Sequence, residues 1–350
     1  MADSLLVTYP TDHQRHAPPL QFFDGEAQPH PDRPERVAGI IGALQAAFTL
    51  DLRAVSRHAS DEELCQVHTP DLLDAIRWLS RLSASRNGPY LIPSIFPIDT
   101  SMARLADTDE GRPGVFCYDT FAPVGAATWE VATQSAACAL DAARAIASGD
   151  ARLAYALCRP PGHHATQRRY GGYCYLNNAA LAARLLARTR RIAVLDLDYH
   201  HGNGTQEIFW EDAGVWTGSL HGDPALDYPF YSGTADDVGA GAGAGCYVNL
   251  PLPLWTGDAD YLRALDTLLV SLCAFRPDAV VVPLGFDTYE HEPEGKFSLT
   301  AGCFTAIGSR LRQLALPLLI VQEGGYNVEV LGELAVRFFG GLGVARSISP

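Results

Sequence analysis

The sequence predicts one α/β domain spanning residues 1–350, with a mostly parallel central sheet, helices on both faces and an active site at the carboxyl ends of the strands. Three observations predict it. From about residue 150 onward, short runs rich in Val, Ile and Leu alternate with amphipathic stretches, the pattern of a sheet buried on both faces. Most of these runs are followed closely by histidine, aspartate or tyrosine, and ligands of open parallel sheets bind outside the carboxyl ends of the strands. No internal repeat or low-complexity linker divides the chain.

In order, 34–46, 61–82 and 128–148 read as helices whose role is framing. Between them, 87–114 (NGPYLIPSIFPIDTSMARLADTDEGRPG) is a long Pro- and Gly-marked loop, of a size that in a compact domain is functional or disordered. The strands follow as 153–158 (LAYALC), 192–197 (IAVLDL), 215–220 (VWTGSL), 279–284 (AVVVPL) and 318–322 (LLIVQ), with helices at 178–189, 258–273 and 300–314. The alternating glycines of 239–245 do not match a dinucleotide fingerprint and read as a flexible loop.

Composition narrows the function. A net charge of −14 disfavours nucleic acid and anionic membranes as partners and suits a cationic substrate. The eight cysteines form no C-x-x-C pair and read as reduced thiols. The opening MADSLLVTYPTDHQRH lacks a basic region followed by an apolar one, so the expected location is cytoplasmic.

The chemistry lies after the strands. Asp198 and His200 alternate to one side of an extended segment, and Asp287 follows the strand AVVVPL. Two carboxylates and an imidazole with open coordination positions suit catalytic zinc or Fe(II). His163 and His164, adjacent at another strand end, suit proton transfer. Asp196 and Asn203 flank the metal-type residues and could take hydrogen bonds from the far ring nitrogens. After the last strand, Gly324 and Gly325 leave Tyr326 free to project its hydroxyl into a cleft, where a phenol could stabilise an oxyanion. Each of these residues alone is commonplace as a cap, a packed ring or a loop residue; their convergence carries the reading.

Together the segments HPDRPERV, RPPGHHA, GGYCYLNNAA, DLDYHHGNGTQEIF, SLHGDP, GFDTYEHEP and EGGYN, in order over nearly the whole chain, resemble the histone deacetylase and acetylpolyamine amidohydrolase superfamily, whose fold is shared with arginases. The resemblance implies zinc on Asp198, His200 and Asp287, tandem catalytic histidines His163 and His164 with His164 as general base and then acid, and Tyr326 as the transition-state tyrosine. It implies a structural potassium ion near Asp196, Asp198, His200, Ser219 and Leu220. It further implies an aromatic tunnel built with Gly172, Tyr173 and Tyr228. Asn203 and the long loop lean toward the bacterial acetylpolyamine branch, in which the insertion helps build a homodimer, and Glu110 in that loop is a candidate contact for a distal ammonium. The expected activity is deacetylation of a small acylated amine, most readily an acetylpolyamine. The alternatives are a deacylase of protein lysines or of another small amine, a two-manganese arginase-like hydrolase, and a catalytically silent binding module; position 203 as Asn and position 199 as Tyr speak against two metals, and the full set of chemical residues speaks against silence.

Overall fold

In the computed structural model, residues 5–87, 90–97 and 108–347 are described. Eight parallel strands form the main sheet: β1 (Leu5–Pro10), β4 (Leu50–Val55), β5 (Leu153–Ala156), β6 (Ile192–Asp196), β7 (Val215–Gly222), β8 (Tyr247–Leu252), β9 (Ala279–Leu284) and β10 (Leu318–Gln322), while β2 (Leu20–Phe23) and β3 (Glu26–Pro29) make a separate antiparallel hairpin. The order across the sheet is β4-β1-β5-β10-β9-β6-β7-β8. Its four central strands are therefore β5, β10, β9 and β6, the ones whose carboxyl ends carry the histidine pair, Tyr326, Asp287 and the Asp198–His200 segment.

Alternation along these strands divides the core in two. Ala154, Ala156, Val281, Leu319 and Val321 face one cluster with the helices Thr128–Ser148 and Asn178–Ala187. Leu153, Tyr155, Val280, Val282, Leu318 and Ile320 face the other, with Glu35–Ala47, Asp258–Phe275, Ala301–Gln313 and Leu331–Gly341. With both faces covered, the only polar region left to the central strands is their end.

The structure corrects several expectations. The N-terminal part does more than frame the domain, because it contributes β1 and β4 to the sheet; β8 was also absent from the five expected strands. The helix expected over 61–82 is two, Asp61–Leu64 and Pro70–Ser85. Pro70 disfavours helical backbone at the residue before it, and Thr69 is extended (φ −75°, ψ 146°), which makes Pro70 the start of a new helix. The glycines of 239–245 do lie in a loop, which holds a 3-10 turn at Gly241–Gly243, where a Cβ on Gly243 would stand 2.7 Å from the Trp210 carbonyl oxygen. Of the expected insertion, 88, 89 and 98–107 lie outside the described residues. Among the described residues no helix is long and apolar enough to cross a membrane.

The break before Pro70 turns His68 inward. Its Nδ1 donates to the Thr166 carbonyl (2.9 Å) and its Nε2 accepts the Asn177 N–H (2.9 Å), so the ring must be neutral. Burial, outweighing the bond to Thr166, lowers its pKa to about 4. The unfolded chain then binds the extra proton between about pH 6.5 and 4, and stability falls as pH falls through that window. Between about pH 7.5 and pH 5 the loss from His68 should be about 2 kcal/mol. Thermal unfolding across this range should steepen the pH slope of the wild type relative to His68→Gln; parallel slopes would refute the assignment.

Candidate active site

Asp198, His200 and Asp287 bring one ligand atom each within 4.8 Å of one another. His200 Nδ1 stands 3.3 Å from Asp198 Oδ1 and 3.2 Å from Asp287 Oδ2. The carboxylates are fully buried and fixed from behind: Gly324 N–H donates to Asp198 Oδ2 (2.7 Å) and Tyr199 N–H to Asp287 Oδ1 (3.0 Å). A Cβ on Gly285 would lie 2.2 Å from Asp198 Oδ2 and 2.3 Å from Asp287 Oδ1, and one on Gly324 2.2 Å from Asp287 Oδ2, so both flanking positions must be glycine for the carboxylates to meet. Burial and the neighbouring Asp198 push Asp287 up to about 6, while His163 and His200 overcome burial and hold Asp198 well below the usual carboxylate range. Two buried carboxylates this close need positive charge between them, and with an imidazole they form a donor set that fits a divalent cation.

His163 and His164 lie beside this cluster with their rings 4.0 Å apart. His163 Nδ1 donates to Asp196 Oδ2 (3.0 Å), and its Nε2 is 3.7 Å from Asp198 Oδ1. Against burial, these two aspartates raise His163 to about 10. His164 Nδ1 donates to Asn203 Oδ1 (2.7 Å), which offers no charge; burial, His163 and His200 push this ring well below its ordinary value. The adjacent histidines are thus pushed in opposite directions, His163 upward by Asp198 and Asp196 and His164 downward by burial, with only the neutral Asn203 behind it.

His163, Cys174 and Glu323 also bring donor atoms within 4.8 Å. They suit a metal poorly. Burial raises the Cys174 thiol well above its usual value, and Glu323 Oε2 already accepts the N–H groups of Gly162 (2.6 Å) and His163 (3.1 Å).

Around the open side stand aromatic rings. Tyr326 meets Tyr173 edge to face at 5.5 Å, and Tyr228 meets His164 at 5.0 Å and His200 at 5.9 Å. Phe121 touches both walls, 6.4 Å from Tyr173 and 5.7 Å from Tyr228. Gly172 (φ +54°) has no room for a side chain, since a Cβ would lie 2.5 Å from His164 Cδ2. Asp119 ties the walls together by accepting Gly172 N–H (2.8 Å) and the Tyr228 hydroxyl (2.8 Å). Tyr326 itself is placed by its backbone, whose N–H donates to Glu292 Oε1 (2.6 Å), and by the Arg36 guanidinium 4.7 Å over its ring.

Of the residues expected from sequence, the structure gathers Asp198, His200, Asp287, His163, His164, Tyr326, Asp196, Asn203, Gly172, Tyr173 and Tyr228 into this one region. Ser219, followed by Leu220 on β7, pairs in register with Asp196, and its hydroxyl is 2.7 Å from His221 Nδ1. Glu110 is exposed in the turn before the short helix Arg112–Phe116. Sequence reading gave no role to Phe121, Asp119, Glu292, Arg36 or Glu294, whose Oε2 accepts the Tyr173 hydroxyl (3.1 Å). The signal for Arg36 and Glu292 was their presence inside HPDRPERV and GFDTYEHEP; for Glu294, its place one residue beyond the latter.

Residues 30–342 match the histone deacetylase domain. The chain is 38% identical over 356 residues to acetylpolyamine amidohydrolase 1 of Pseudomonas aeruginosa, covering 98% of this chain and 100% of that one. It is 39% identical over 330 residues to the acetylpolyamine amidohydrolase of Mycoplana ramosa, covering 93% and 96%. The crystal structure of the acetylpolyamine aminohydrolase from Burkholderia pseudomallei superposes with a TM-score of 0.92 at 38% identity, over 97% of this chain and 99% of that one.

Proposed function

Since the chain belongs to the histone deacetylase family of metal-dependent hydrolases, we propose that it deacetylates N-acetylated polyamines, with zinc, or alternatively iron(II), on Asp198, His200 and Asp287. The single observation that carries the reaction is the buried three-donor cluster beside two adjacent histidines, one hydrogen-bonded to Asp196 and the other to Asn203. The substrate class is supported by relatives that bear the name acetylpolyamine amidohydrolase over nearly their full length and by Glu294, whose carboxylate accepts the Tyr173 hydroxyl on the tunnel wall, in place to meet a distal ammonium. A structural potassium near Asp196 and Ser219, a homodimer and a cytoplasmic location belong to the same proposal, as does Glu110 as a second ammonium contact.

A bound metal ion supplies Lewis acidity at the amide carbonyl and acidifies a water molecule. The chain's own groups do the rest. His164, neutral, with Nδ1–H engaged by Asn203, leaves Nε2 free to take a proton from the attacking water and return it to the departing amine. His163, hydrogen-bonded through Nδ1 to the buried Asp196, stabilises negative charge developing beside it. Tyr326, kept protonated because burial raises it well above its usual value, donates its hydroxyl to the oxyanion. Tyr173, Tyr228 and Phe121 exclude water and grip the acylated arm.

Acetate release from N-acetylputrescine, N-acetylspermidine and an acetyl-lysine peptide, compared side by side, tests this reading. The small amines should be preferred, Tyr326→Phe should lower kcat by about 10²- to 10³-fold, and Glu294→Gln should raise KM for the amines more than for the peptide. Preference for the peptide would make the chain a lysine deacetylase instead.

A further inference from the structure

The chain contains a single lysine, Lys296. It ends a segment, 294–296, pressed against the cluster: a Cβ on Gly295 would lie 1.8 Å from the Asp287 carbonyl oxygen. The two charged side chains of this segment reach opposite walls of the tunnel. Glu294 takes the Tyr173 hydroxyl, and Lys296 Nζ lies 3.0 Å from Asp227 Oδ2. Asp227 also accepts the Tyr199 hydroxyl (2.8 Å) and, through Oδ1, the backbone N–H of Tyr228 (2.9 Å).

We propose that the Lys296–Asp227 pair is a latch that fixes the base of the Tyr228 wall to the 294–296 segment and thereby restricts the mouth to slim acylated amines. The proposal rests on the deacylase reading above and names what sets its substrate class. The wall relies on such a latch because only the Tyr228 ring itself is packed, on Phe121 and His164, while its neighbours along the chain are not: Leu226 is 55% exposed, Phe230 50% and Tyr231 97%. Its hydrogen-bonded fixings are Asp119 at the phenol tip and Asp227 at the backbone. A released ring has somewhere to go, since Tyr228, Phe121 and Asn203 also line an open cleft of about 1530 Å³. Lys296 is a positioning residue, and its half-exposed ion pair adds little to stability, so its effect should appear in selectivity.

The test compares kcat/KM for N-acetylputrescine and for an acetyl-lysine tripeptide in the wild type, Lys296→Met and Asp227→Asn. A latch predicts that both variants raise the peptide-to-amine ratio by about fivefold, with kcat on the preferred substrate little changed. A charge effect alone would move the two variants in opposite directions, because one loses a cation and the other an anion; that outcome, or no shift in either, overturns the proposal. Chemical modification supplies an independent arm should Asp227→Asn fail to fold. Isocyanic acid adds to the Lys296 amine, forming a C–N bond and moving the amine proton to the new neutral urea, whereas reductive dimethylation keeps the charge. The first should reproduce the shift and the second should not, with Lys296→Met treated alike reporting any effect of other groups. If the wild type prefers the peptide, the polyamine reading fails while the ratios still decide the latch.

Discussion

An Asp287→Asn chain should fold and yet deacetylate every acylated amine about 10³-fold or more slowly than the wild type, because it loses an anionic donor from a cluster that has only three. The more informative readout is thermal unfolding with and without a chelator. In the wild type, Asp198 and Asp287 are buried in mutual contact, and Asp287 is lifted to about 6 by burial and by Asp198. Chelator should therefore expose a repulsion that bound metal removes, and metal should raise the wild-type Tm by linkage. In Asp287→Asn the repulsion is gone, so the chelated variant should be at least as stable as the chelated wild type and should gain little from metal. A variant that keeps the full metal-dependent rise in Tm would show that the ion sits elsewhere.

The core of this site was legible before the structure because its residues sit at strand ends. Val281 and Leu319 are recognisable as buried strand by composition alone, and in a covered parallel sheet the polar residues just beyond such strands must face a common end. What was not legible depends on contacts between segments with no shared periodicity. β4 (LDLRAV) lies at the sheet edge with half its residues exposed and shows no apolar run, and β1 precedes any recognisable motif. Glu294 and Lys296 follow a motif but act across the mouth, on Tyr173 and Asp227, and only the path of the loop puts them there. Asp119 belongs to none of the motifs, yet it fastens the Gly172 backbone to the Tyr228 phenol. The break at Pro70 could have been foreseen from the proline itself.

Arg36 gives the second large expected effect, and it separates positioning from mere stability. Its side chain is 2% exposed. Nη1 donates to Asp32 Oδ1 (2.5 Å), Nε to the Gly325 carbonyl (2.6 Å) and Nη2 to the Glu323 carbonyl (2.5 Å), so one guanidinium grips the backbone on both sides of Gly324 while lying over the Tyr326 ring. Arg36→Met keeps most of the volume and removes every one of these bonds. Asp32 would be left with Arg159 alone (3.1 Å), the buried Gly325 carbonyl would lose its donor, and the Glu323 carbonyl would keep only the Gln322 side-chain amide (3.2 Å). The unpaired Gly325 carbonyl and the thinner pairing of Asp32 should cost about 1–3 kcal/mol, which denaturant unfolding would read directly. The loss of kcat follows from a different cause, the freedom given to the Tyr326 loop, and a double-mutant cycle isolates it. If Arg36 acts by placing the phenol, Tyr326→Phe should cost much less in the Arg36→Met background than in the wild type, since a misplaced hydroxyl has little left to lose. Equal costs in both backgrounds would mean that Arg36 supports the fold and leaves the position of Tyr326 to Glu292, whose carboxylate accepts the Tyr326 N–H from the other side.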